Sequence, residues 1–510
     1  MPQIPLLISV GKFHSAARNH RAYTSRMCFP TRFCARNLAL LFAACFLAAL
    51  DLARAAAPRP NIIFILADDL GYGELGCYGQ KLIQTPHLDR MAAEGIRFTQ
   101  FYAGSTVCAP SRSVLLTGKH LGHTTVRGNA GTNNPAAQML RANEVTVAQV
   151  LKDSGYATGV IGKWGLGEPN SVGHPNRQGF DYWFGFLSQH HAHNHYPDHL
   201  WRNAERVPLP NVVTRLGLDG AGYATERVQY AGDLFAAEAL QFVERNREQP
   251  FFLYLALTVP HANNERTRAL KDGQEVPDYA PYADKDWTQP NKGQAAMITR
   301  MDQQIGNLFA KLKPLGLDEK TLVIFTSDNG PHKEGGNDPQ FFQASGPLRG
   351  LKRDLFEGGI RMPFLARWPG RIKAGSVSGH VGYFGDFLAT AAELAGATPP
   401  KDLDSLSFVP TLLGNAGAQG RHEFLYWEFF ERGFSQAVLL EGRWKGIRLQ
   451  RRSAPIQLFD LANDLGEKEN VADAQRDVVA RIAGLMKAAH VESPLWPVVD
   501  PPGGAGKKVD

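Results

Sequence analysis

The chain is poor in cysteine. It has five in 510 residues, and three of them (Cys28, Cys34 and Cys45) fall within the first 57 positions. Cys77 and Cys108 remain. That excludes a disulfide-built scaffold, and without a Cys-x-x-Cys it excludes a dithiol redox protein. Long apolar runs are also missing. A membrane helix takes ~20 apolar residues, and the run Leu38–Leu50 falls short of that. Net charge is the third absence. The formal value is +6, but residues 1–57 hold Lys12, Arg18, Arg21, Arg26, Arg32, Arg36 and Arg54 against Asp51 alone. The rest of the chain is balanced, so bulk charge supports neither nucleic-acid nor membrane binding. No internal repeat or low-complexity tract is present.

The first 57 residues read as a removable leader. Arg32 and Arg36 precede Leu38–Leu50, and Ala53-Arg-Ala55 follows as a small-residue cleavage site. Met27 offers a start that gives a leader of ordinary length. Cys45 lies inside the apolar run, not after it, which argues against a lipid anchor. The expectation is a secreted or periplasmic protein without stable membrane insertion.

From residue 61 onward, apolar β-rich runs alternate with helical periodicity. Strands are expected at Ile62–Ala67, Ala157–Gly162, Phe251–Thr258 and Leu322–Thr326. Helices are expected at Thr85–Glu94 (capped by Thr85, with Pro86 first), Val145–Ser154, Gly232–Asn246 and Gln294–Leu312. Such alternation predicts an α/β fold: a large, mostly parallel sheet sandwiched by helices. After Leu413 the texture changes. Short strands are expected at Leu425–Glu428, Ala437–Glu441, Trp444–Leu449 and Gln457–Asp460, then a helix over Asp473–Ala488. The expected division is a catalytic domain over 58–413, a linker at Gly414–Gly420, a small C-terminal antiparallel sheet plus helix over 421–500, and a tail over 501–510.

The chemistry-bearing residues sit at strand ends. Asp68 and Asp69 close the first strand, Lys163 the second, and Asp328 and Asn329 the last, while His261 follows the third. Open α/β sheets bind ligands at the carboxyl ends of their strands. Asp68, Asp69, Asp328 and Asn329 are hard oxygen donors, which suits Ca²⁺ (or Mg²⁺) and not zinc. Cys108 is expected just before a helix starting near Pro110, where backbone N–H groups favour an anion. Arg112, one turn in, points back at that start. Five of the sixteen histidines lie between His190 and His199. Read plainly they are a polar surface loop; read sharply they cover the pocket and contact substrate.

Cys108 stands in Ala103-Gly-Ser-Thr-Val-Cys-Ala-Pro-Ser-Arg-Ser-Val-Leu-Leu-Thr-Gly-Lys119. That stretch resembles the signature of type I sulfatases, of the alkaline-phosphatase-like superfamily. Gly162-Lys-Trp-Gly-Leu-Gly167, Val259-Pro-His261, Asp328-Asn-Gly330 and Leu351-Lys-Arg-Asp-Leu-Phe-Glu-Gly-Gly-Ile-Arg-Met-Pro363 are similar to further motifs of that family, in family order. The resemblance runs from Pro60 to about residue 490.

It implies that a formylglycine-generating maturation enzyme oxidises Cys108 to Cα-formylglycine, whose hydrated diol attacks the sulfur of a sulfate ester. It implies one divalent cation, usually calcium, on Asp68, Asp69, Asp328 and Asn329, with the residue-108 oxygen as a further ligand. Asp328 would receive the diol proton, Arg112 hold the modified residue, Lys163 and Lys352 grip sulfate, and His261 contact the ester oxygen. The substrate is expected to be a sulfated carbohydrate or an aryl sulfate, possibly a galactose or N-acetylgalactosamine 4-sulfate.

One departure stands out: many sulfatases carry a histidine where this chain has Gly165. His190, His191, His193 and His195 are the candidates to replace it, with His123, Arg127, Trp427 and Glu428 as weaker pocket candidates. Two other readings stay open. One is a phosphodiesterase or phosphonate hydrolase on the same scaffold, and the other a non-catalytic binder of sulfated glycans.

Overall fold

A computed structural model of the protein describes residues 59–130, 134–217 and 220–499. The expected leader, with Cys28, Cys34 and Cys45, and the expected tail over 501–510 lie outside the described residues.

The centre is β1 (Asn61–Asp68), buried along its whole length. Its side chains alternate between two cores. Ile62, Phe64 and Leu66 enter one, and Ile63, Ile65 and Ala67 enter the other. This period of two explains an unbroken apolar run: both faces are covered, so neither needs polar residues.

The sheet has eleven strands. In chain order the next are β2 (Ile96–Tyr102), β3 (Ala157–Lys163), β4 (Tyr182–Phe186), β5 (His199–Arg202) and β6 (Glu205–Pro208). A separate two-stranded ribbon, β7 (Val212–Arg215) and β8 (Gly222–Glu226), comes next. The main sheet resumes with β9 (Phe251–Pro260), β10 (Thr321–Ser327), β11 (Arg361–Arg367), β12 (Ser376–Ser378) and β13 (Gly382–Tyr383). The order is β12-β2-β11-β10-β1-β9-β3-β4-β5-β6, with β13 beside β2. The middle five strands, β10 to β4, are parallel, and antiparallel strands extend both sides.

Helices α1 (Pro86–Glu94), α4 (Ala231–Arg245) and α6 (Gln289–Leu312) contribute to one core. Helices α2 (Cys108–Thr117), α3 (Val147–Asp153) and α7 (Asp386–Ala395) contribute to the other. Between α4 and α6 lies the short α5 (Asn264–Leu270).

Several helix starts differ from expectation, and two show why. Thr85 makes no side-chain cap on α1; its hydroxyl accepts from the Gly76 N–H. Asp302 of α6 instead takes the His87 and Leu88 N–H groups, at 3.1 and 2.7 Å. Helix α6 begins five residues before the expected Gln294, capped by the Thr288 hydroxyl. Its first turn, Gln-Pro-Asn-Lys, is polar and hides the start from a hydrophobic pattern. The strands over 199–226 were also hidden, because they are short and exposed.

The C-terminal sheet is β14 (Phe424–Phe429), β15 (Ser435–Leu440), β16 (Trp444–Arg448) and β17 (Gln457–Asp460), paired in that order and antiparallel throughout. Tyr426, Val438 and Leu458 meet Ile482 and Met486 of α8 (Arg476–Ala489). Leu425, Trp427 and Leu439, on the other face, join the same core as α2 and α7.

Candidate active site

The carboxyl ends of β1, β3, β9 and β10 meet the first turn of α2. Cys108 is the first residue of that helix, not a residue before it, and is buried. Both described cysteines are free. Burial first, and then the Asp68 charge, push the Cys108 thiol far up. A thiol so placed is not a thiolate nucleophile at neutral pH.

Asp69 sits at φ +67°, in the left-handed region that few non-glycine residues adopt. The turn lets its N–H donate to Asp328 Oδ1 at 3.1 Å, while its own carboxylate takes Asn329 Nδ2 (2.7 Å) and Lys352 Nζ (2.8 Å). Asp68 Oδ2 accepts from Lys163 Nζ at 2.6 Å. Arg112 is fully buried. It donates twice to Asp328 Oδ2, at 3.0 and 2.8 Å, and once to the Lys163 carbonyl at 2.8 Å. Its guanidinium also lies 3.6 Å from Asp68 Oδ2, so it braces both carboxylates.

Three carboxyls (Asp68, Asp69, Asp328) thus face three cations (Arg112, Lys163, Lys352), and Glu334, which also touches Lys352, pairs with Arg353. Burial alone would raise Asp68, but Lys163 and Arg112 outweigh it and hold the carboxyl far below its usual range. Burial and the adjacent Asp68 raise Asp328. Burial would lower Lys163 and Lys352, yet Asp68 and Asp69 respectively keep them protonated.

Two buried oxygens here have no hydrogen-bond partner: Asp68 Oδ1 and Asn329 Oδ1. Leaving such atoms unsatisfied is costly. Ligand atoms of Asp68, Asp69, Cys108 and His261 lie within 4.8 Å of one another. Orphaned hard oxygens at this spot fit a calcium-like cation.

His261 Nδ1 bonds the Ala262 carbonyl at 2.7 Å, and its Nε2 faces Lys352 Nζ at 3.0 Å. Burial, then Lys352 and Lys163, hold it well below the ordinary imidazole range, so it is neutral. The cavity above has a volume of about 530 Å³ and includes Cys108, Lys352, His261, His190, His193 and Gln189 in its walls.

The histidine run divides. Residues His191–His193 form a 3₁₀ turn, in which side chains three apart eclipse. His190 and His193 therefore share the cavity side, their rings 5.6 Å apart. His193 stacks on His261 at 4.8 Å, and its Nδ1 meets Glu265 Oε2 at 3.0 Å. His191 turns the other way, against His199 in a neighbouring cleft. His195 is buried, bonding the His261 carbonyl at 2.8 Å.

The remaining candidates lie elsewhere. His123 is paired with Asp404 and stacked on His120. Arg127 and Glu428 form a buried ion pair. Trp427 is core, its indole N–H bonded to the Ala103 carbonyl. Their sequence neighbourhoods carried no sign of these partners.

Three site residues escaped the sequence. Glu334 and Glu265 orient Lys352 and His193, and no motif marks either. Gln189 fills the space at Gly165: a Cβ there would lie 2.9 Å from Gln189 Cδ. Both amide atoms of Gln189 are buried without partners.

Comparison with known proteins agrees with this geometry. The family profile described as Sulfatase matches residues 60–397, and one described as N-sulphoglucosamine sulphohydrolase, C-terminal, matches 351–491. The N-acetylgalactosamine-6-sulfatase of Canis lupus familiaris is 35% identical, over 72% of this chain and 69% of its own. The N-acetylgalactosamine-6-O-sulfatase of Bacteroides thetaiotaomicron is 31% identical, over 84% and 93%. Among solved structures, Ps i-CgsB in complex with k-i-k-neocarrahexaose superposes with a TM-score of 0.70 at 27% identity, over 84% of this chain and 93% of that one. The chain belongs to the sulfatase family and is a sulfuric ester hydrolase.

Proposed function

We propose that the protein removes sulfate from a sulfated carbohydrate, using Cys108 converted to Cα-formylglycine and a Ca²⁺ ion (or Mg²⁺) held by Asp68, Asp69, Asp328 and Asn329. The observation that carries this is the pair of orphaned oxygens, Asp68 Oδ1 and Asn329 Oδ1, beside a buried residue 108 at a helix start. The modified residue would supply the nucleophile, and the cation the positive charge that ionises and orients it.

The chain's own residues do the rest. Three acids and three bases cancel, so a divalent cation leaves an excess of positive charge. That excess suits the anionic ester and an ionised nucleophile together. Lys163 and Lys352, both protonated, bind sulfate oxygens. Lys352 shares its proton with His261 Nε2, and this pair protonates the leaving alcohol. His193, oriented through Nδ1 by Glu265, keeps Nε2 as a lone-pair nitrogen. It is the proton acceptor we assign in place of the histidine absent at Gly165.

The sugar is read as galactose or N-acetylgalactosamine. The two relatives named for the 6-sulfate favour that position over the 4-position suggested by Gly162–Gly167 with its histidine loop. Export to the periplasm or beyond fits the expected leader. Among the described residues, no helix is long and apolar enough to cross a membrane.

The mass of the Cys108 peptide tests the first step: conversion lowers it by about 18 Da. Release of sulfate from N-acetylgalactosamine 4- and 6-sulfates, against alcohol release from phosphodiesters and phosphonate monoesters of the same sugar, tests the second. An unmodified thiol in active protein overturns the proposal. Faster turnover of the phosphorus esters favours the phosphodiesterase or phosphonate hydrolase reading, and binding without release favours the glycan binder.

A further inference from the structure

A second cleft adjoins the first. Its volume is about 260 Å³, and two chain segments that wall the main cavity also wall it, together with Glu168, Pro169, His199, Trp201 and Arg206. Ser188 and His191 line it, while the intervening Gln189 and His190 line the main cavity. Likewise Arg215 and Gly220 line it, while Leu216, Gly217 and Ala221 line the main cavity. Leu216 and Ala221, joined by the bond from the Leu216 N–H to the Ala221 carbonyl, therefore lie on the ridge between them. Leu216 is 59% exposed on that ridge.

The floor of the cleft is aromatic, and its rim carries Arg206 and Arg215 together with the carboxyl group of Glu168. Trp201 of β5 is half-buried and pairs across the strands with Arg206 of β6, whose guanidinium lies over the indole ring, 5.1 Å from its centroid. Arg215 borders the same space but is engaged by Asp198. Arg206 is exposed and has no carboxylate partner among the described residues. Trp201 also walls a third cleft of about 360 Å³, which Arg177 borders.

An indole with a guanidinium over one face, and no carboxylate on that guanidinium, has a specific chemical match. The apolar face of a sugar ring packs on the part of the indole that Arg206 leaves open, and a sulfate or carboxylate on that sugar pairs with the arginine. We propose that the Trp201–Arg206 cleft binds a second anionic sugar, next to the one whose sulfate is removed. The enzyme then takes an anionic oligosaccharide in preference to a monosaccharide. This rests on the carbohydrate-sulfatase reading above and deepens it.

The test compares three classes of probe: 4-methylumbelliferyl sulfate, sulfated N-acetylgalactosamine and galactose monosaccharides, and size-defined tetra- and hexasaccharides from chondroitin sulfate and carrageenan. At least one oligosaccharide should exceed its monosaccharide in kcat/KM by about tenfold or more, the worth of one charge-assisted contact. Arg206→Glu, at an exposed position, should abolish that advantage through KM and leave aryl sulfate turnover within about twofold. Trp201→Ala should do the same, with circular dichroism and unfolding confirming its fold. Equal turnover of mono- and oligosaccharides by the unaltered protein overturns the proposal, as does an advantage that survives both substitutions. If no probe at all loses sulfate, the sulfatase reading fails first, and that result is distinct from a flat chain-length profile.

Discussion

The contact between Gly165 and Gln189 makes a prediction that separates two costs. Gly165 sits at φ +73°, so any side chain there pays the left-handed penalty of roughly 1–2 kcal/mol. A Cβ would also lie 2.9, 3.0 and 3.1 Å from Cδ, Nε2 and Cγ of Gln189. Overpacking of this kind adds about 1 kcal/mol or more, so Gly165→Ala should lose roughly 2–3 kcal/mol in total. All three crowded atoms belong to one side chain. Gly165→Ala combined with Gln189→Ala should therefore lose only the backbone term, giving a coupling of about 1 kcal/mol between the sites. Urea unfolding of the four proteins, read as midpoints at constant slope, measures that coupling directly. Losses that simply add would show that Gln189 does not occupy the space in front of Gly165. The same cycle with Gly165→His asks a functional question. An imidazole there should fit only once Gln189 is trimmed, and His193→Ala should then be tolerated in the double variant but not in the unaltered protein.

Other consequences follow from charge and burial. Arg112→Met should cost about 3–5 kcal/mol in unfolding free energy, because it leaves Asp328 buried beside Asp68 without its guanidinium. An unchanged unfolding midpoint would contradict the geometry. Removing Asp68 or Lys163 alone unbalances the cluster, so Asp68→Asn with Lys163→Met should be more stable than either single variant, yet all three should release no sulfate. Calcium at about a hundredfold its Kd should stabilise the unaltered protein by ~2.7 kcal/mol, and Asn329→Ala should reduce that gain in thermal unfolding; an equal gain in both would place the ion elsewhere. His195 gives the pH dependence. Burial lowers it to about 4, so between the ordinary imidazole value and that point the unfolded chain binds a proton the folded one refuses. Stability should fall as pH drops through that window, on the order of 3 kcal/mol for this residue. His195→Gln, which can keep the bond to the His261 carbonyl, should flatten the acid limb, and an unaltered limb would refute the assignment.

Much of the scaffold was legible because burial on both faces writes itself as uninterrupted apolar runs. β1, β3, β9 and β10 all read that way, and the acidic, lysine and histidine positions at their ends were located by the same reading. Polar or short elements left no such trace. The first turn of α6 is Gln-Pro-Asn-Lys, and the hairpin β5–β6 exposes half of its strand residues, yet that hairpin carries Trp201 and Arg206. Partners distant in sequence were equally invisible. Asp302 caps α1 from 215 and 214 residues away, and Glu265 reaches His193 across 72; neither pairing has a local pattern.

The histidine run shows where the boundary lies between the two kinds of information. Composition alone marked residues 190–199 as unusual but treated their histidines as equivalent. Their roles are set by one local fact, the 3₁₀ turn at His191–His193. Successive side chains on such a turn point roughly 120° apart, and every third one aligns. His190 and His193 therefore face the cavity, and His191 is sent into the adjacent cleft. His195, past the turn, goes beneath His261. A single added or deleted residue in that turn would exchange these positions without altering the composition. The spacing of the histidines, read against the turn, determines which of them can act on a bound sulfate ester.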